Sequence, residues 1–132
     1  MQPLSSDVLP GGIVFLKISG DLSKDVLKEV AVGLDENLQL IKDQYLAMGG
    51  KIFHLTDISE FTGKYDPEAL ELFMTFAKGT PDMVQKSVIY GGNLSTELIA
   101  KLVVMVSGRT DIEIFHTHDE AVAALRIAGA VA

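Results

Sequence analysis

Residues 51 to 70, KIFHLTDISEFTGKYDPEAL, constrain the fold more than any other stretch of this chain. Ile52, Phe53, Leu55 and Ile58 form a short apolar run of β-branched and aromatic character, the pattern of a strand buried on both faces. The polar segment Ser59 to Tyr65 reads as a loop. Asp66-Pro67 then reads as a helix start. The Asp carboxylate can accept from free backbone N–H groups, and Pro suits the first helical position because its missing N–H needs no partner there.

The rest of the chain repeats this alternation. Pro10-Gly11-Gly12 supplies a turn before the strand Ile13–Ile18, so LSSDVL and IVFLKISG read as a hairpin. Val26, Val30, Leu34, Leu38, Ile41 and Tyr45 recur every three or four residues, which predicts a long helix within 21–48. Asp21 or Ser23 can cap it, Gly33 is a point where it could kink or break, and Gly49-Gly50 ends it. The helix from Pro67 stops at Gly79 and Pro81. Ser87–Tyr90 reads as a strand, Ser95 as the cap of a helix ending near Ser107, and Asp111–His116 as another strand. Thr117 and Glu120 have capping-box spacing before a last helix. Alternating strands and helices imply a largely parallel sheet with right-handed crossovers and covering helices. The expected fold is therefore a single α/β domain over 1–132, with four to five strands and about four helices.

Composition narrows the partners. A hydrophobic content of 48% over 132 residues is enough for one domain with a sizeable core. The net charge is −7, and the 11 Lys and Arg residues are scattered, so neither nucleic acid nor an anionic membrane is an expected partner. The chain has no Cys, which removes disulfides, thiolate metal sites and a thiol nucleophile. The N-terminus lacks signal-peptide character, and the apolar run Leu102–Val106 is far too short to span a bilayer. A soluble cytoplasmic protein is expected.

The layout resembles the STAS domains, the fold of bacterial anti-sigma-factor antagonists, and their SpoIIAA-like uncharacterised relatives. The resemblance rests on the strand ending in Gly20-Asp21-Leu22, on HLTDIS at 54–59, on VIYGG at 88–92 and on IEIFHTHDEAVAAL at 112–125. It covers nearly the whole chain. It implies a regulatory binding domain, which in the antagonists is switched by phosphorylation of a Ser at the start of the helix after the loop. Here that place reads Tyr65-Asp66-Pro67-Glu68-Ala69, with no acceptor Ser. One carboxylate is a poor copy of a phosphate, so Asp66 is expected to be a helix cap.

In an open parallel sheet, ligands favour the edge where strands end and helices begin. Asp57, Ser59, Thr62, Asp66, Gly91, Gly92, Asn93, His116, Thr117 and His118 are the candidates there. Two His with Asp57 and Glu60 could hold a metal or move a proton, but capping and loop bonding explain the same residues, and no catalytic residue, metal or cofactor is expected. His54, between apolar neighbours, reads as a hydrogen-bonded core residue. No Ser sits in a nucleophile elbow, and Gly91-Gly92-Asn93 lacks the Gly spacing and Lys of a nucleotide loop.

The stronger signal is an excess of apolar residues on two helices. Glu97 and Lys101 mark the expected wet side of the third helix, with Val104 and Met105 flanking it. Leu72 and Phe76 sit at the margin of a wide apolar arc on the second. These four are the expected ligand or partner surface. The chain is accordingly read as a non-catalytic binding or regulatory module, expected to be a homodimer or to take a protein partner. The alternative is a carrier or sensor of a lipid-like or other apolar small molecule.

Overall fold

The computed structural model describes residues 2–80 and 82–130. Among them, the chain runs β1 (Leu4–Leu9), β2 (Ile13–Leu22), a 3-10 turn (Lys24–Val26), α1 (Leu27–Ala47), β3 (Phe53–Tyr65), α2 (Pro67–Lys78), β4 (Lys86–Tyr90), α3 (Leu94–Ser107), β5 (Ile112–Ile114) and α4 (His118–Ala128). The five strands form one sheet in sequential order. The β1–β2 hairpin is antiparallel, pairing Leu4 with Ile18 and Leu9 with Ile13. The β2–β3, β3–β4 and β4–β5 pairs are parallel.

Side-chain alternation along the strands divides the core. Leu16, Ile18 and Ile58 face α1, α2 and α3, packing against Val30, Leu34, Ala69 and Phe73. Phe53, Leu55, Val88 and Tyr90 face the other way and pack on Ala121 and Leu125 of α4. Three helices therefore cover one face, and α4 alone covers part of the other. β3 lies in the middle with both faces buried, which is why its sequence reads as a nearly continuous apolar run.

That strand does not stop at Ile58. It continues to Tyr65, and Ser19, Gly20 and Leu22 of β2 pair with Glu60, Phe61 and Tyr65 across two register shifts. The segment expected to be a loop is thus strand. Its polar residues Ser59, Glu60, Thr62 and Lys64 hid the strand period. Asp66 caps α2 as expected, its side chain accepting from the Glu68 N–H at 3.0 Å. Asp66→Ala should lower stability by about 1 kcal/mol and Asp66→Ser by much less; chemical denaturation checks this, and equal large losses would mean the carboxylate has another role.

The expected helix 21–48 is divided between a strand and a helix. Residues up to Leu22 belong to β2, and Ser23 makes no side-chain cap. Gly33 neither kinks nor breaks α1. It is buried against the hairpin, where a Cβ would lie 2.7 Å from the Leu4 Cβ. Close approach of β1 to α1 is what this glycine permits. Gly79 ends α2, while Pro81 lies outside the described residues.

Candidate functional site

α3 begins with a strong start and then packs loosely. Its cap is Asn93, two positions before the expected Ser95. Asn93 accepts from the Thr96 N–H at 3.0 Å, and Thr96 Oγ1 accepts from the Asn93 N–H at 2.9 Å, a reciprocal arrangement. The only buried residues of α3 are Thr96 and Glu97, in its first turn. Glu97, expected on the wet side, is 6% exposed. Its Oε1 lies 2.6 Å from His116 Nδ1 without hydrogen-bond alignment, and among the described residues it has no hydrogen-bond partner. The contact sets the start of α3 beside the loop before α4.

With Glu97 turned inward, the outer face of α3 is apolar. Leu94 is 78% exposed, Leu98 58% and Met105 73%, and Leu102 and Val106 are also exposed. At about 100° per residue, Leu94, Leu98, Leu102 and Met105 share one face. Lys101 is the charge on it. Apolar content alone could not say which way this helix is turned, because α3 has apolar residues all round.

Of the four expected surface residues, only Met105 lies on this face. Leu72, Phe76 and Val104 are half-buried, and Leu72 and Phe76 pack against the core. These three are partly covered by the sheet and the neighbouring helices, so they are less open than expected. Phe76 and Val104 instead border a cavity of about 100 Å³ between the sheet and helices α2 and α3, along with Ile18, Phe73, Ile99 and Val103.

The cavity has a polar end made by His54, Thr56, Ser87 and Arg109. His54 Nε2 lies 2.7 Å from Asn37 Oδ1, and Asn37 spends its Nδ2 on Ser6 Oγ and on the Phe15 carbonyl. Nε2 must therefore carry the proton and donate. Nδ1 is left to accept from the Thr56 hydroxyl at 3.3 Å. Burial first, and the Arg109 charge second, hold the His54 pKa down at about 3. It is the hydrogen-bonded core histidine the sequence suggested, although its partner Asn37, fully buried on α1, carried no sequence signal.

Arg109 is equally committed. Nε donates to Asp111 Oδ1 at 2.8 Å and Nη2 to Asp111 Oδ2. The other donations go to Thr80 Oγ1 at 2.7 Å, to Ser87 Oγ at 3.0 Å and to the Ala77 carbonyl at 3.4 Å. All five guanidinium N–H groups are then used. The Arg109 cation at the cavity wall is thus already spent on the protein's own groups.

The strand-end candidates divide in the same way. Asp57 Oδ1 accepts from the Ser59 N–H at 2.8 Å. A Cβ at Gly91 would press on Ser59, and the Gly91 N–H donates to the His116 carbonyl. The Tyr90 ring meets His118 edge-on at 5.2 Å. Burial, then the Asp57 charge, raises the Tyr90 phenol pKa to about 12. Asp57, Ser59, Gly91, Gly92, Asn93, His116 and His118 therefore gather at one edge. Thr62 is held at the end of β2 by Asp21 and the Gly20 carbonyl, and Asp66 by the Leu22 carbonyl, so neither joins them. Thr117 and Glu120 form the expected capping box. Among the described residues no three His, Asp or Glu side chains are grouped to hold a metal ion.

A five-stranded, mostly parallel sheet with three helices on one face and one on the other is a SpoIIAA-like α/β fold. Among solved structures, the chain is similar to an uncharacterised protein of the DUF3478 family with a SpoIIAA-like fold from Shewanella loihica, at 14% identity and a TM-score of 0.64, covering 95% of each chain. It is also similar to the anti-sigma factor antagonist SpoIIAA in its unphosphorylated form, at 9% identity and a TM-score of 0.52, covering 93% of this chain and 97% of that one. At such identity the likeness is one of fold. No family model and no curated protein sequence matches the chain. Among the described residues, no helix is long and apolar enough to cross a membrane.

Proposed function

We propose that this protein is a non-catalytic regulatory binding module whose binding face is the outer side of α3. The observation that carries the reading is the set of large apolar side chains left in water on that one helix, Leu94, Leu98, Leu102, Met105 and Val106. Contiguous apolar surface of this kind marks an interaction site, because covering it returns roughly 25 cal/mol for each Å² of apolar area removed from water. The module works without a phosphoacceptor at the start of α2, where Asp66 is occupied as a cap. A hydrophobic dye such as ANS should bind the folded wild type, and Leu98→Asp and Met105→Asp should each remove most of that signal while circular dichroism stays unchanged. Dye binding equal in all three proteins would sink the proposal, and a phosphate found by intact mass on Ser59 or Thr62 after incubation with an anti-sigma kinase and ATP would sink its phosphate-free form.

The cavity favours a second, narrower reading. Its volume of about 100 Å³ is smaller than an engineered cavity of about 150 Å³ that holds benzene, and well below the roughly 300 Å³ at which drug-sized pockets begin. The apolar-ligand alternative is therefore restricted to a guest of about that small size; an acyl chain needs α2 and α3 to part. Native mass spectrometry of protein purified without detergent tests this, and a retained lipid would overturn the size limit.

A further inference from the structure

We propose that the occupant of the α3 face is a second copy of this chain, docked α3 against α3 about a two-fold axis; this rests on the reading of α3 as the binding face. Three observations point to self-association.

The first is charge. The chain carries −7, so two copies repel unless their carboxylates are kept apart. Exposed acids lie on α1 (Glu29, Glu36), α2 (Glu68, Glu71) and α4 (Asp119, Glu120). The one acid of α3, Glu97, is turned inward onto His116. α3 is thus a helix that presents no exposed carboxylate of its own to a second copy, and Lys78 stands in the same groove as Glu71 of α2. Lys101 can lay its stem on the apolar surface and keep its ammonium in water. The same charge works against an anionic membrane as the occupant, since one Lys faces a net −7.

The second is shape. Leu94, Leu98, Leu102 and Val106 are spaced by four and form a continuous ridge along the helix, all four exposed. Two such ridges interdigitate when the helices cross at about −50°. A two-fold axis makes that contact self-complementary, because each ridge enters the groove beside the other. At the Val106 end of the ridge a groove opens toward α2, lined by Leu70 and Met74 and also by Glu71 and Lys78.

The third is area. The exposed side chains of α3 make a patch on the order of 500 Å², near the top of the range for ordinary monomers. Two copies would bury at most on the order of 1,000 Å² in total, the lower limit for a specific interface. The dimer is therefore reversible and concentration-dependent.

Sedimentation velocity from low to high micromolar protein tests this. The wild type should shift from monomer to dimer, and Leu98→Asp should stay monomeric at every concentration with unchanged circular dichroism. The chain has no native Cys, so introduced thiols report contact unambiguously. Leu102→Cys, near the middle of the ridge, should form an intermolecular disulfide under mild oxidation, and Val32→Cys, exposed on α1, should not. A dimer that survives Leu98→Asp, or that crosslinks through position 32 and not 102, overturns the proposal. A wild type that is monomeric throughout also overturns it; if ANS or neutral phosphatidylcholine vesicles then bind the wild type and not Leu98→Asp, the binding face stands and only its occupant was misassigned. If neither binds, both fail.

Discussion

Replacing Arg109 with Ala should lower the unfolding free energy by about 3 kcal/mol, a loss typical of a broken buried ion pair. The reason is the number of groups it would leave without partners. Arg109 joins the end of α2, through the Ala77 carbonyl and Thr80, to Ser87 of β4 and to Asp111 just before β5. Its side chain is 6% exposed and that of Asp111 is 24% exposed. Removing it strands a partly buried carboxylate and two hydroxyls at the edge of the cavity, and an unpartnered buried polar group costs roughly 1–3 kcal/mol. The partial exposure of Asp111 keeps the total toward the lower end of what a broken buried pair costs. Arg109→Lys should recover less than half the loss, because one ammonium restores the charge but cannot make the planar two-point contact with Asp111 and also reach Ser87 and Thr80. Urea denaturation of both variants checks this. Full recovery by Lys would mean that charge alone, rather than the fork of hydrogen bonds, holds these elements together.

The second large effect is a pH dependence centred on His54. Its folded pKa, about 3, lies below its ordinary value of 6.5, so between those values the unfolded chain binds a proton that the folded protein refuses. Stability therefore rises with pH across that window and becomes independent of this group above about 6.5. Followed downward, the contribution is complete at pH 7 and is lost progressively toward pH 3. By pH 4 the loss from this one residue is on the order of 3 kcal/mol, at about 1.4 kcal/mol per unit. His54→Gln keeps a donor for Asn37 Oδ1 and does not titrate. Its unfolding free energy should fall less between pH 7 and pH 4 than that of the wild type, by about that amount. Carboxylates contribute to the acid limb of both proteins and cancel in the difference. Parallel curves would show that His54 is not the group held neutral in the core.

Local signals in the sequence determined much of this fold. Asp66-Pro67 and Thr117 start two of the helices where one residue type satisfies free N–H groups, and such caps depend on a few neighbouring residues only. At α3 the same signal was ambiguous by two positions, because Asn93 and Ser95 are both good caps and only Asn93 has Thr96 to reciprocate. Pro10-Gly11-Gly12 turns the hairpin, and the apolar run at 52–58 belongs to a strand covered on both sides. The alternation of these elements was enough for a mostly parallel sheet, and the STAS-like layout agrees with the solved SpoIIAA-like structures. Tertiary structure decided the rest. The segment 59–65 is strand because the far end of β2 offers it partners, not because its own side chains alternate. Gly33 sits inside an unbroken helix because Leu4 must fit against it. Glu97 points inward, against Gly92 of the β4–α3 turn and beside His116, and the apolar side of α3 faces water, while Leu72 and Phe76 of α2 are half-covered by their packing on the core. A helix that is apolar all round has no preferred rotation of its own. The direction its outer face points is set by what the rest of the fold can bury against it, and for this chain that choice selects the candidate site.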